Sequence, residues 1–305
     1  MPDGPAPRNP DDVARRLAGT ALAGAPLIEV PLPEAPDVTW VIDLGDGDLV
    51  AAWREARDAV AGLGLYPVAV TTWGLPDWPA ADLFSRFYYG GGEDVAPWSV
   101  ITRSSELSVD EALLRFGFDD DWAAENWDDV VRHHVELAQR HAGAAPDEAV
   151  FADVPAGDEL GLERRLMAWE EDHRPTDPPE LSESFGWFDP RPEDPAGLVL
   201  LPITEPWQAA GYLSFYGADG DGRHEALLQL MREWQGRFGA QLVASWGTML
   251  QFVVDAPPGT LDEAFDLAAQ HAAVAPCTTM LPGEGIRQLA RHLWRGERWF
   301  LHERP

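Results

Sequence analysis

No lysine occurs among the 305 residues, so all 22 basic side chains are arginine. That absence excludes a Schiff-base lysine, a phosphate-loop lysine and a lysine general base. The single cysteine, Cys277, allows no intrachain disulfide and cannot alone hold a metal. No apolar run approaches the roughly 18 residues of a membrane-spanning helix, so no membrane partner is expected. Residues 1–12 are polar and proline-rich, without the basic start and apolar stretch of a signal peptide. A cytoplasmic location is therefore expected.

Familiar catalytic signatures are missing as well. Gly90-Gly91-Gly92 lacks the spacing and the strand-to-helix setting of a nucleotide-binding loop. Ser245-Trp246-Gly247 lacks the leading glycine of a nucleophile elbow. Cys277 has His271 six residues upstream but no cationic neighbour to activate the thiol. Asp219-x-Asp221-Gly222 suggests a calcium loop, yet His224 and Leu230 stand where such a loop needs glycine and glutamate. No catalytic residue and no cofactor are assigned.

What is present is acid and aromatic. The 52 acidic residues outweigh the arginines and give a net charge of −30. Such a field repels phosphate backbones, so no nucleic-acid partner is expected, whereas a basic protein is a fitting one. Solvation and the coding bias of a GC-rich genome account for the same composition. With 45% apolar residues, 14 tryptophans and 12 phenylalanines the chain has ample material for packed cores.

Periodicity and turn residues divide the chain into four parts. Residues 1–26 read as a flexible leader, 27–174 as an N-terminal α/β domain, 175–196 as a proline-rich linker, and 197–305 as a C-terminal α+β domain. In the N-terminal part, Val38–Leu44, a helix from Leu49 to about Ala61, and Tyr66–Trp73 read as a crossover with two parallel strands. Asp46-Gly47-Asp48 supplies the helix cap. A short helix is expected at Ala80–Phe87, and Ser108-x-x-Glu111 boxes another. Longer helices follow at about Ala123–Ala142 and Asp158–Glu171.

The C-terminal part predicts strands at Gly197–Ile203 and Ala209–Tyr216, then a helix at Arg223–Phe238 capped by Gly239. An antiparallel pair, Gln241–Ser245 with Met249–Asp255, turns at Trp246-Gly247. Thr260-x-x-Glu263 boxes the next helix, and a final helix, Gly285–Arg295, leads to the strand Arg298–His302. The fold class is α+β: two α/β-type units, the C-terminal one a two-layer sandwich of a mainly antiparallel sheet with helices on one face.

Several landmarks of that last part occur in a telling order: Leu200-Leu201-Pro202, Trp207, Phe215-Tyr216-Gly217, Trp234, Phe238-Gly239-Ala240, Pro257-Pro258 and Trp299-Phe300. On these the segment resembles a bacterial family known only as a domain of unknown function, family 4253, over about residues 197–302. The resemblance implies an architecture and no activity. It also implies losses. The family pattern has Asn and Cys where this chain has residues 218–223, acids where it has Thr248 and Gln251, and Cys-Pro-Asp where it has Ala275-Pro276-Cys277.

Two constellations remain. Glu125, Asp129 and His133 fall four residues apart, a spacing that brings metal ligands to one helix face; it is equally the spacing of ordinary stabilising pairs. Trp73, Trp78 and Trp98 lie in an aromatic, proline-rich stretch outside regular periodicity and are the candidates for a partner-binding surface. Glu170-Glu171-Asp172-His173 and Asp119-Asp120-Asp121 read as solvated or capping charge runs. The expectation is a non-catalytic acidic protein-binding module of immunity or regulatory type. The alternatives are a metal-dependent hydrolase-like enzyme and a structural component of an assembly.

Overall fold

The computed structural model describes residues 9–31, 38–44, 47–71, 96–117, 120–174, 185–188, 196–213, 215–220 and 222–304. Residues 1–8 of the expected leader, most of the expected linker, the helix expected at 80–87, and Trp73 and Trp78 lie outside these residues; the rest of the expected leader carries a helix, Pro10–Leu17.

In chain order the elements are α1 (Pro10–Leu17), β1 (Leu27–Pro31), β2 (Val38–Asp43), α2 (Leu49–Val60), β3 (Tyr66–Thr71), α3 (Pro97–Ser104), α4 (Val109–Phe116), α5 (Asp120–Glu125), α6 (Trp127–Ala142) and α7 (Glu159–His173). There follow β4 (Ala196–Leu201), α8 (Arg223–Phe238), β5 (Gln241–Ser245), β6 (Met249–Val253), α9 (Leu261–Val274), α10 (Cys277–Met280), α11 (Ile286–Arg295) and β7 (Arg298–His302). The fold is α+β. Its sheet is mostly antiparallel, with the strand order β1-β2-β4-β3-β5-β6-β7.

Two compact units divide the chain, and each draws on both sides of residues 175–196. The first comprises residues 1–115, 187–255 and 302–305. Here β4 runs antiparallel to both β2 and β3, with Val199 opposite Val41 on one side and Val68 on the other. The crossover β2–α2–β3 does place its two strands parallel, but β4 occupies the place between them. All six residues of β4 are buried, which explains its unbroken apolar run in place of alternation. β3 then pairs parallel with β5 at Ala69 and Ala244, and β5 pairs antiparallel with β6.

Local chemistry fixes these elements. Asp48 caps α2 by accepting from the Ala51 amide at 2.8 Å. Trp53 on α2 is fully buried and donates its indole N–H to the Pro67 carbonyl at 2.9 Å. The Tyr66 hydroxyl donates to the Leu242 carbonyl at 2.8 Å, and burial raises its pKa well above the usual phenol value. The strand expected at Ala209–Tyr216 is instead a 3₁₀ turn, Pro206–Gly211. The turn packs closely against α3, where a side chain on Gly211 would meet Ile101.

The second unit comprises residues 116–186 and 256–301. Val130 and Ala138 of α6 pack with Leu162 and Leu166 of α7, and Trp127, Val131 and Trp169 close over them. The helix expected over 123–142 is broken at Asn126, whose backbone (φ −113°, ψ 26°) leaves the helical region. Thr260 caps α9 by accepting from the Glu263 amide at 3.1 Å. α9 and α11 pack along each other.

Candidate functional site

The expected metal ligands fall on two helices. Glu125 ends α5, while Asp129 and His133 lie one turn apart on α6. All three are exposed, and Asp129 is paired with Arg132 at 2.6 Å. Desolvation by its surroundings, then the neighbouring His134, lowers the pKa of His133. Among the described residues, no group of three or more His, Cys, Asp or Glu is placed to hold a metal ion. Trp98, near the start of α3, is 62% exposed.

Titratable groups do converge elsewhere, inside the second unit. Glu163 and Glu170 lie seven residues apart on α7, and Arg287 and Arg291 four apart on α11, so each pair shares one helix face. All four are buried, with exposures of 0–3%. Arg287 donates Nε–H to Glu170 at 2.6 Å, bonds Glu163 through Nη1, and gives Nη2 to the His134 carbonyl at 3.0 Å. Arg291 donates to the other Glu170 oxygen at 2.6 Å and to Glu171 at 3.0 Å.

His134 completes the cluster. Its Nδ1 lies 3.2 Å from Arg287 Nη1, and its Nε2 lies 2.8 Å from Glu159. Its Nδ1 also lies 3.5 Å from a Glu163 oxygen. Two buried cations thus face two buried anions, and desolvation is offset by charge-assisted bonds. Burial would raise the Glu163 pKa; Arg287, His134 and the Ile286 amide overcome it and bring it to about 2. Burial likewise opposes the charge of Arg287, and its two carboxylate partners raise its pKa instead.

The same carboxylate caps α11, since the Ile286 amide donates to Glu163 at 2.8 Å. Gly285 is required there because a Cβ would collide with the Glu163 carboxylate. Chemically this is a closed electrostatic clamp between helices. Each of its buried carboxylates is bonded to a guanidinium, and it meets solvent mainly through Glu159 and Glu171, whose side chains are 42% and 39% exposed. Sequence reasoning missed the cluster. The available signal was charge on an apolar stripe: Glu163 and Glu170 flank Leu166 and Met167, and Arg287 sits among Ile286, Leu289 and Ala290.

The positions where the resemblance implies lost polar groups are structurally occupied. Gln251 is fully buried; its Oε1 accepts from the Trp246 indole at 2.7 Å, and its Nε2 donates to the Phe188 carbonyl at 3.0 Å. A carboxylate there would set oxygen against oxygen. The Thr248 carbonyl accepts from the Glu303 amide at 2.9 Å. Cys277 begins α10 and is half-buried.

This run of β4, α8, the β5–β6 hairpin, α9 to α11 and β7 is what the comparison with known families recognises. Residues 197–302 match the domain of unknown function DUF4253. No curated protein matches the chain, and no solved structure does. The DUF4253 segment contributes Arg287 and Arg291, whereas their partners Glu163, Glu170 and His134 lie outside it. Its first strand, β4, takes both sheet neighbours, β2 and β3, from outside it too.

Proposed function

We propose that the protein is a non-catalytic, acidic protein-binding module of immunity or regulatory type, acting in the cytoplasm on a basic protein. One observation carries the reading: among the described residues, the buried carboxylates and guanidinium groups that converge are spent on the clamp. The groups a hydrolytic site would leave half-solvated and poised are bound to one another here. Two further features support it. The net charge of −30 favours and steers association with a cationic surface. Trp98, 62% exposed on α3, offers the kind of aromatic anchor that interfaces use. Among the described residues no helix is long and apolar enough to cross a membrane.

The test is affinity capture from the native host with the whole chain as bait, at low and at high salt, beside a Trp98→Ala bait. The reading expects one basic protein whose retention falls with salt and falls further on the variant. Recovery of no salt-sensitive basic protein would refute it.

A further inference from the structure

β1 stands at one end of the strand order and pairs with β2 alone. The direction of its backbone groups follows from β2. The Leu44 N–H, one residue past β2, bonds the Ala196 carbonyl at 3.1 Å, in register with the pairing of β2 and β4. Backbone groups alternate sides along an extended strand, so Thr39 and Val41 turn theirs to β1. Their partners across the ladder are Val30 and Ile28. The N–H groups of Leu27 and Glu29, and the carbonyls of Leu27, Glu29 and Pro31, therefore point away from β2. Among the described residues none of these outward groups has a hydrogen-bond partner. Pro31, with no N–H to donate, falls on the outward side, as a proline on an edge strand must.

The charge around this edge has one sign. Between Arg16 and Arg54 the chain carries six acids, Glu29, Glu34, Asp37, Asp43, Asp46 and Asp48, and no arginine, lysine or histidine. Glu29 is exposed at the middle of β1, and Asp43 is exposed at the end of β2. We infer that β1 is the docking strand of the protein: a basic, extended segment of the partner adds beside it as a further strand and bonds the backbone of Leu27 and Glu29. This rests on the reading above, that the partner is a basic protein, and assigns the place and form of the contact. A second copy of this chain is a poor occupant, because it would lay an equally acidic edge against Glu29 with a net charge of −30 on each side.

The edge also sets the pattern of the segment it accepts. β1 has five residues, so the matching segment spans about five or six. Side chains alternate faces along both strands. An arginine or lysine at every second position of the segment therefore lies on the face of Glu29, and apolar residues between them lie on the face of half-buried Ile28 and buried Val30. Proline is excluded wherever the segment must donate to the Leu27 and Glu29 carbonyls. Backbone bonds supply the attachment, and the alternating cations select it.

The probe is a synthetic peptide of about seven residues alternating valine and arginine, beside one alternating valine and glutamate. Amide exchange of the full chain, read residue by residue by NMR, should slow at least about tenfold at Leu27 and Glu29 when the arginine peptide saturates. The glutamate peptide should leave both amides unchanged. Glu29→Gln should weaken the arginine peptide about threefold, and Glu29→Pro, which also removes an outward N–H, roughly fivefold further. Should Glu29→Pro not fold, the wild-type amides decide alone. Binding that leaves the two amides unslowed, or equal affinity for the two folded variants, would overturn strand addition at β1 while the basic-partner reading stands. Failure of the arginine peptide to bind, or slowing of both amides by concentration-dependent dimerisation without peptide, would overturn it as well.

Discussion

Replacing Glu163 with glutamine keeps the shape of the clamp and removes one of its charges. The buried carboxylate of Glu163 is held at about 2, against an ordinary value of 4.5. That difference of about 2.5 units, at 1.36 kcal/mol each, makes the ionised group worth about 3 kcal/mol at neutral pH. Because the folded-state value is depressed, the contribution is complete above pH 4.5 and drains away as pH falls towards 2. The variant also leaves the Arg287 guanidinium with Glu170 as its remaining buried counter-charge, so the loss at pH 7 should reach 3 kcal/mol or slightly more. Urea unfolding of wild type and Glu163→Gln, followed by far-UV dichroism at pH 7, 4.5 and 2.5, reads this directly. The gap between the two proteins should be largest at pH 7, little changed at pH 4.5, and mostly closed at pH 2.5. A gap below about 1 kcal/mol at pH 7, or one independent of pH, would refute the reasoning.

Gly285→Ala should cost about 1–3 kcal/mol in the same assay, because the added methyl displaces the Glu163 carboxylate from the start of α11. Gln251→Glu should cost a similar amount at neutral pH and recover in acid, where the protonated acid can again donate to the Phe188 carbonyl. His271 is lowered from 6.5 to about 3 by burial and then by His292, so acidification between those limits should cost about 5 kcal/mol of stability through this one ring. No such loss occurs above pH 6.5, so His271→Phe should flatten the stability profile between pH 6.5 and 3.

Local signals in the sequence translated well into local structure. The Ser108–Glu111 and Thr260–Glu263 boxes, the Gly239 helix stop and the hairpin at Trp246-Gly247 encode bonds between near neighbours. Two kinds of feature were not legible. Strand neighbours far apart in sequence carry no local mark, so the insertion of β4 between β2 and β3 was invisible to a reading of each segment in turn. The apolar Leu213 and Phe215 read as a strand, but the tight turn below Ile101 depends on α3, which packs against it. The clamp escaped for a related reason. Glu163, Glu170, Arg287 and Arg291 each look like ordinary helix-surface charges until two distant helices are laid face to face. Of the surface acids and histidine that do show a ligand-like spacing, Glu125 on α5 is separated from Asp129 and His133 on α6 by the backbone break at Asn126.

The position of β4 sets a limit on how this polypeptide could be cut and reused. Excising the recognised segment would strip both flanking partners from its most deeply buried strand and, at α11, orphan two guanidinium groups. A transplant into a new host chain would therefore have to carry β2, β3, α6 and α7 along. The smallest transplantable piece is larger than the stretch that matches the family.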